Sequence, residues 1–176
     1  MGGKQLRSRV VWFCAVIFYL LMGHTAHAQQ YKKRYLDKFQ ALSIRLMNET
    51  GIPASVILGV SMLESGMGTS RNARLLHNHF GIVGRNTLAK RHPTYRSRYK
   101  EYPSDSASFH HFVKILSRKK WYAQLQGKPE YAVWLQHMNH SGYSTAGQEW
   151  IKRVTSLIKR YKLYKLDAQM GFVKNS

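Results

Sequence analysis

Acidic side chains are the scarcest chemistry in this chain of 176 residues: 8 Asp and Glu stand against 28 Lys and Arg, for a formal net charge of +20. A field of that sign favours anionic polymers as partners, the plain alternative being a charge that only keeps the protein soluble. Cysteine is nearly absent too. Cys14 is the single one, so no disulfide can form within the chain. Internal repeats and low-complexity linkers are lacking, and a chain of this length forms one domain with its own core. The apolar run from Val10 to Met22 falls short of the roughly 20 residues that span a bilayer. With Lys4, Arg7 and Arg9 before it and Ala26-His27-Ala28 after it, the run reads as a signal peptide over residues 1–28, cleaved before Gln29. Cleavage leaves 25 Lys and Arg against 8 Asp and Glu. The expectation is an exported protein of the periplasm or cell envelope, or one secreted beyond it. Its partners are then wall glycan or other anionic envelope polymers, not nucleic acid, and it is expected to act as a monomer.

Motifs for metal and cofactor chemistry are also missing. There is no H-E-x-x-H, and no cysteine completes a site with His77 and His79 or with His110 and His111. Adjacent histidines on a helix point about 100° apart, so His110 and His111 cannot serve one ion from one face. No Gly-rich phosphate loop occurs, and no Ser-His-Asp set stands out from chance. Neither a metal nor a cofactor is expected.

What is present centres on Gly51 to Gly68, GIPASVILGVSMLESGMG. Pro53 suits the start of a helix, where its missing N–H is no loss, and Gly66 with Gly68 can end it. Val56, Val60 and Leu63 form an apolar stripe, and Glu64 lies one turn beyond Val60 on its margin. Partial burial and the carbonyl end of the helix would both raise the Glu64 pKa toward what a general acid needs. A solvated, helix-ending glutamate is the plain alternative. Against it, no other Asp or Glu occurs between Glu49 and Glu101, and the small residues Ser65 to Ser70 leave room for a ligand.

Around this helix the periodicity predicts a mainly helical domain. Tyr35, Phe39, Leu42 and Leu46 predict an opening amphipathic helix that stops near Gly51 and packs beneath the Glu64 helix. Thr69 or Ser70 can cap a short helix through Leu75 and Leu76. Val83 to Tyr102 lacks helical periodicity and is expected to form a small irregular β-hairpin lobe flanking a cleft. Ser104 or Ser106 caps a helix with Phe109, Phe112, Val113 and Leu116 on one face. Pro129 starts another carrying Tyr131, Trp134, Leu135 and Met138, with core packing as the expected role of its aromatics. The last helix carries Trp150, Val154, Leu157 and Tyr161, and a tail follows from Ala168 to Ser176.

In order along the chain, GIPASVILGVSMLESGMGTS, NHFGI at Asn78 to Ile82, RYKEYPSDSASF at Arg98 to Phe109, GYST at Gly142 to Thr145 and a closing YKLYKLD resemble the glucosaminidases of glycoside hydrolase family 73. The resemblance implies a lysozyme-like helical domain over residues 29–167 that cleaves N-acetylglucosaminyl bonds in peptidoglycan. It implies Glu64 as general acid and Tyr143 as an active-site tyrosine facing it, able to orient water or the sugar's acetamido group. Asn78 and Phe80 would shape the substrate cleft, with Ser65 and Thr145 beside it. One departure stands out. Many family members carry a second carboxylate on the lobe just before the segment matching Arg98 to Tyr102, where this chain has Ser97 and no acid from Ser65 to Lys100. Glu101 shares a strand face with position 97 and is one replacement. Attack by the substrate's own 2-acetamido oxygen is another. A lytic transglycosylase, in which the C6 hydroxyl closes on the anomeric carbon, and a non-catalytic cationic wall-binding module are the alternative functions.

Overall fold

The computed structural model describes residues 30–172. The expected signal peptide with Cys14, and the last four residues of the expected tail, lie outside the described residues. Contacts divide the chain into two units, Met1–Asp37 and Lys38–Ser176. Of the first, residues 30–37 are described, and they are the opening turns of a helix, α1, over residues 30–50. The second unit continues with α2 (Ala54–Ser65), α3 (Arg71–Leu76), α4 (Leu88–Arg91), α5 (Asp105–Ser117), α6 (Tyr122–Leu125), α7 (Tyr131–His140) and α8 (Gly147–Arg160). Two 3-10 turns, Leu163–Lys165 and Asp167–Gln169, follow. Among the described residues no helix is long and apolar enough to cross a membrane.

The central element is α2, which packs against α7, α8 and the first 3-10 turn. It differs from the one-sided helix expected of it. Every residue from Ala54 to Met62 is buried, Ser55, Gly59 and Ser61 included, whereas Leu63 is half-buried. Enclosure on all sides favours small side chains where a neighbour comes close: a Cβ on Gly59 would stand 2.8 Å from Ile158 Cγ1 of α8. Two of the buried serines turn their hydroxyls back onto their own helix, Ser61 to the Leu58 carbonyl at 2.8 Å and Ser65 to that of Ser61 at 2.6 Å. At its start Pro53 offers no side-chain cap, and the orphan donors there are met from the far end of the chain. The Asp167 carboxylate accepts from the Ser55 N–H at 2.9 Å and from its hydroxyl at 2.6 Å. At its end Gly66 takes the left-handed conformation, φ 55°, as the Gly-rich turn predicts.

Ser70 caps α3 and Ser104 caps α5, in each case one of the two residues expected there. All four stripe residues of α5 are buried, and Phe39 of α1 stacks on Phe109 with ring centroids 4.7 Å apart. Helix α7 begins at Tyr131, beyond Pro129, and buries Trp134, Leu135 and Met138. Helix α8 buries Trp150 and Val154 with Ile158, and leaves Leu157 and Tyr161 half-buried.

The lobe between α3 and α5 corrects the expected β-hairpin. A single antiparallel bridge joins Val83 to Tyr99, and the chain between them makes the short helix α4 instead of a ladder. Two asparagines add side-chain bonds to this short pairing. Asn78 Nδ2 donates to the carbonyls of Ile82 and Lys100, and Asn86 Nδ2 to those of Ser97 and Tyr99, all at 2.8 Å. Three backbone bonds join the same segments, from the Gly84 N–H to the Arg98 carbonyl at 3.0 Å, the Lys100 N–H to that of Ile82 at 2.8 Å and the Glu101 N–H to that of Arg85 at 3.1 Å, so the amides reinforce a short, irregular pairing.

Candidate active site

Glu64 occupies the last turn of α2, half-buried, just before the backbone reverses at Gly66. Its Oε1 accepts a hydrogen bond of 2.8 Å from the Trp150 indole N–H at the start of α8. Its Oε2 faces the loop after α3, where a Cβ on Gly81 would stand 3.5 Å from that oxygen and 4.0 Å from Tyr99 Cε1. Gly81 has φ 65°, so the loop both needs a glycine for its backbone and, having one, leaves Oε2 clear of a side chain. Burial raises the Glu64 pKa above its ordinary 4.5, against the opposing pull of the Trp150 bond and the Arg153 charge. With Oε1 held by a donor and the anion disfavoured, Oε2 is the oxygen placed to carry a proton. That is the state a general acid requires.

Tyr143 stands on the loop between α7 and α8. Its hydroxyl donates to the Phe80 carbonyl at 3.1 Å, and its ring lies 5.4 Å from that of Trp150 and 5.9 Å from that of Phe112. Burial pushes its pKa well above 10, and the nearby Glu64 and Tyr102 push it further, so it remains a neutral hydroxyl. Trp150 thus joins the two expected catalytic residues, its N–H on the carboxylate and its ring beside the phenol. The sequence placed Trp150 only on a core face. The available signal was chemical: a buried indole N–H needs an acceptor, and this chain has few acids to offer one.

The remaining expected site residues serve the framework. Asn78 is buried, and its amide oxygen accepts from the N–H groups of Phe80 at 3.3 Å and Ile82 at 3.1 Å while its nitrogen donates to two carbonyls. Its side chain fixes the loop carrying Gly81 instead of offering groups to a sugar. The Phe80 ring is in the core, stacked on Phe112 with centroids 4.1 Å apart, and only its carbonyl reaches the site, through Tyr143. Ser65 is buried, donating to Ser61 and accepting from the Gly68 N–H at 2.9 Å. Thr145 is exposed on the loop before α8.

Glu101 belongs to the lobe. Its Oε2 accepts from the Thr87 N–H at 2.7 Å and the Thr87 hydroxyl at 2.8 Å, and its Oε1 pairs with Arg91. The bonds from Thr87, its backbone N–H first, hold the carboxyl below its ordinary range. Both oxygens therefore anchor α4, and the role of second catalytic carboxylate is not one this arrangement serves. The histidines have a similar explanation. His77 Nδ1 and His79 Nε2 face Asp105 Oδ1 at 2.7 and 3.1 Å, and Lys38 meets Oδ2 at 2.7 Å, tying the loop after α3 to α5. Among the described residues no three His, Cys, Asp or Glu are grouped to hold a metal ion.

Residues 40–163 match the family described as Glucosaminidase, mannosyl-glycoprotein endo-beta-N-acetylglucosaminidase. Among solved structures the chain is similar to the catalytic domain of the autolysin Auto from Listeria monocytogenes, at 19% identity and TM-score 0.60, covering 77% of this chain and 87% of that one. The glycoside hydrolase domain of FlgJ from Salmonella typhimurium matches at 21% identity and TM-score 0.57, over 78% and 92% of the two chains. A peptidoglycan hydrolase from Sphingomonas sp. A1 matches at 18% identity and TM-score 0.56, over 81% and 97%. At these identities the likeness is one of fold. No curated protein matches the chain.

Proposed function

We propose that this chain, which belongs to the glucosaminidase family and is therefore a glycosidase, cleaves N-acetylglucosaminyl bonds in the glycan strands of peptidoglycan with Glu64 as its general acid. The observation that carries the proposal is the state of Glu64: half-buried, raised in pKa, bonded through one oxygen to Trp150 and open at the other beside Gly81. The substrate class is supported by the autolysin, FlgJ and peptidoglycan hydrolase folds that resemble this one, and by a leader sequence that reads as an export signal.

The groups acting on the Glu64 carboxylate are the Trp150 indole, the Gly81 loop, the Tyr143 phenol and the Arg153 charge, so the chemistry is assigned to one carboxyl group and the substrate's acetamido group. Glu64 gives its proton to the glycosidic oxygen as the C1–O bond breaks, and the 2-acetamido oxygen closes on C1. The carboxylate then takes a proton from water as that water opens the ring intermediate, which restores the acid. Tyr143, a neutral hydroxyl anchored on Phe80, orients the acetamido group. A single carboxyl also suits closure by the C6 hydroxyl in place of water, which makes transglycosylation the second reading.

Mass spectrometry of fragments released from purified peptidoglycan tests both. Fragments with reducing N-acetylglucosamine ends, lost in a folded Glu64→Gln variant, are the expected result. Anhydro-muramic ends would reassign the reaction, and full activity in Glu64→Gln would overturn the role given to Glu64.

A further inference from the structure

Two arginines in the neighbourhood of Glu64 form no ion pair among the described residues. Arg98 is exposed on the lobe, and its guanidinium carbon lies 5.7 Å from the centroid of the Tyr99 ring. The edge of that same ring is 4.0 Å from where a Cβ on Gly81 would sit, itself 3.5 Å from Glu64 Oε2. Arg98 is thus linked to the acid through Tyr99 and Gly81. Arg153 is exposed on α8, one turn after the Trp150 that bonds Glu64, and its charge is felt at the carboxylate. Among the described residues the Lys and Arg side chains in ion pairs are Lys38, Arg45 and Arg91, and neither Arg98 nor Arg153 is one of them. The lobe cannot neutralise its own charge either. No acid lies between Ser65 and Lys100, and Glu101 is taken by Arg91 and Thr87.

A polymer laid across Glu64 therefore passes guanidinium groups that no ion pair holds. Neutral sugars offer such groups little. The glycan strand of peptidoglycan, however, carries peptide stems with free carboxylates, and a guanidinium fork binds a carboxylate by two parallel hydrogen bonds. We propose that Arg98 and Arg153 are specificity-determining residues that hold stem-peptide carboxylates beside the cleaved bond. The substrate is then a peptide-bearing, anionic strand in preference to a bare or amide-capped one. This rests on the peptidoglycan reading above and narrows it.

The test compares purified walls with native stems against the same walls after conversion of the stem carboxylates to methylamides. Binding is measured by co-sedimentation of the full chain carrying Glu64→Gln, and kcat/KM with the unaltered protein. Binding and kcat/KM are both expected to fall on capping, by about tenfold for each of the two charge-assisted pairs lost. Arg98→Gln should lose about tenfold more kcat/KM on native than on capped walls, carried by KM, and Arg98→Lys should recover part of the loss. A structural role for Arg98 would reduce both substrates alike, and that result, or equal binding to both walls, overturns the inference. Binding that falls on capping, and falls less in a protein also carrying Arg98→Gln, while no wall yields fragments would keep the carboxylate-binding role of the arginines and sink the hydrolase reading.

Discussion

The protonation of Glu64 is set by burial and two neighbours acting in opposite directions. Burial favours the neutral carboxyl, whereas the Trp150 N–H and the Arg153 charge favour the anion. Trp150→Phe keeps the ring against Tyr143 but removes the donor, so the Glu64 pKa rises further. For a group that must be protonated to act, the alkaline limb of the kcat profile moves to higher pH, measured as a pH–rate series on wall fragments. The same raised pKa affects folding. Because the folded state holds the Glu64 proton more tightly than the unfolded chain, whose pKa is near 4.5, its contribution to stability is complete below that value and is lost as pH rises through the folded pKa. Glu64→Gln should therefore gain stability relative to the unaltered protein at pH 7 and lose that gain at pH 4, as read from urea midpoints at the two pH values.

At the scale of elements, the loop after α3 is positioned by a side-chain clip beside a short stretch of backbone pairing. Asn78 is 1% exposed and makes four hydrogen bonds to backbone groups, two on each side of its amide. Asn78→Ala leaves those groups without their partner where water has little access, at a loss of about 3 kcal/mol. The variant should also lose activity, since the Phe80 carbonyl that holds Tyr143 and the Gly81 beside Glu64 are on the released loop. Asn86 makes the equivalent clip in a half-exposed position, where water replaces it, so Asn86→Ala should lose about 1 kcal/mol. Urea unfolding of the two variants, side by side, checks the ranking.

Across the whole molecule, 28 basic residues against 8 acidic ones make an attractive field for an anionic wall and a self-repelling surface. Screening shortens from about 10 Å at 0.1 M salt to about 3 Å at 1 M. Wall binding by the Glu64→Gln protein is therefore expected to weaken at least about tenfold over that range, while near-UV circular dichroism shows the fold unchanged. Loss of structure over the same range would mean that salt acts on the protein and not on the contact.

The parts that local sequence determined are those with local causes. Gly66 ends α2 because its turn needs φ 55°, Ser70 and Ser104 cap their helices through N–H groups three residues on, and Phe109, Phe112, Val113 and Leu116 share a face by helical period. The isolation of Glu64 among basic and neutral residues was equally plain, as was the ordered set of motifs that names the family. Tertiary structure decided what depends on groups far apart in the chain. Trp150 meets Glu64 across 86 positions, and Asp167 caps α2 across 112. Asn78 looked like a ligand-binding amide until its four backbone partners were in place, and Glu101 like a catalytic acid until Thr87 and Arg91 surrounded it. Period and propensity report which face of an element is apolar, but a polar side chain takes its role from whichever partner the packed chain brings to it.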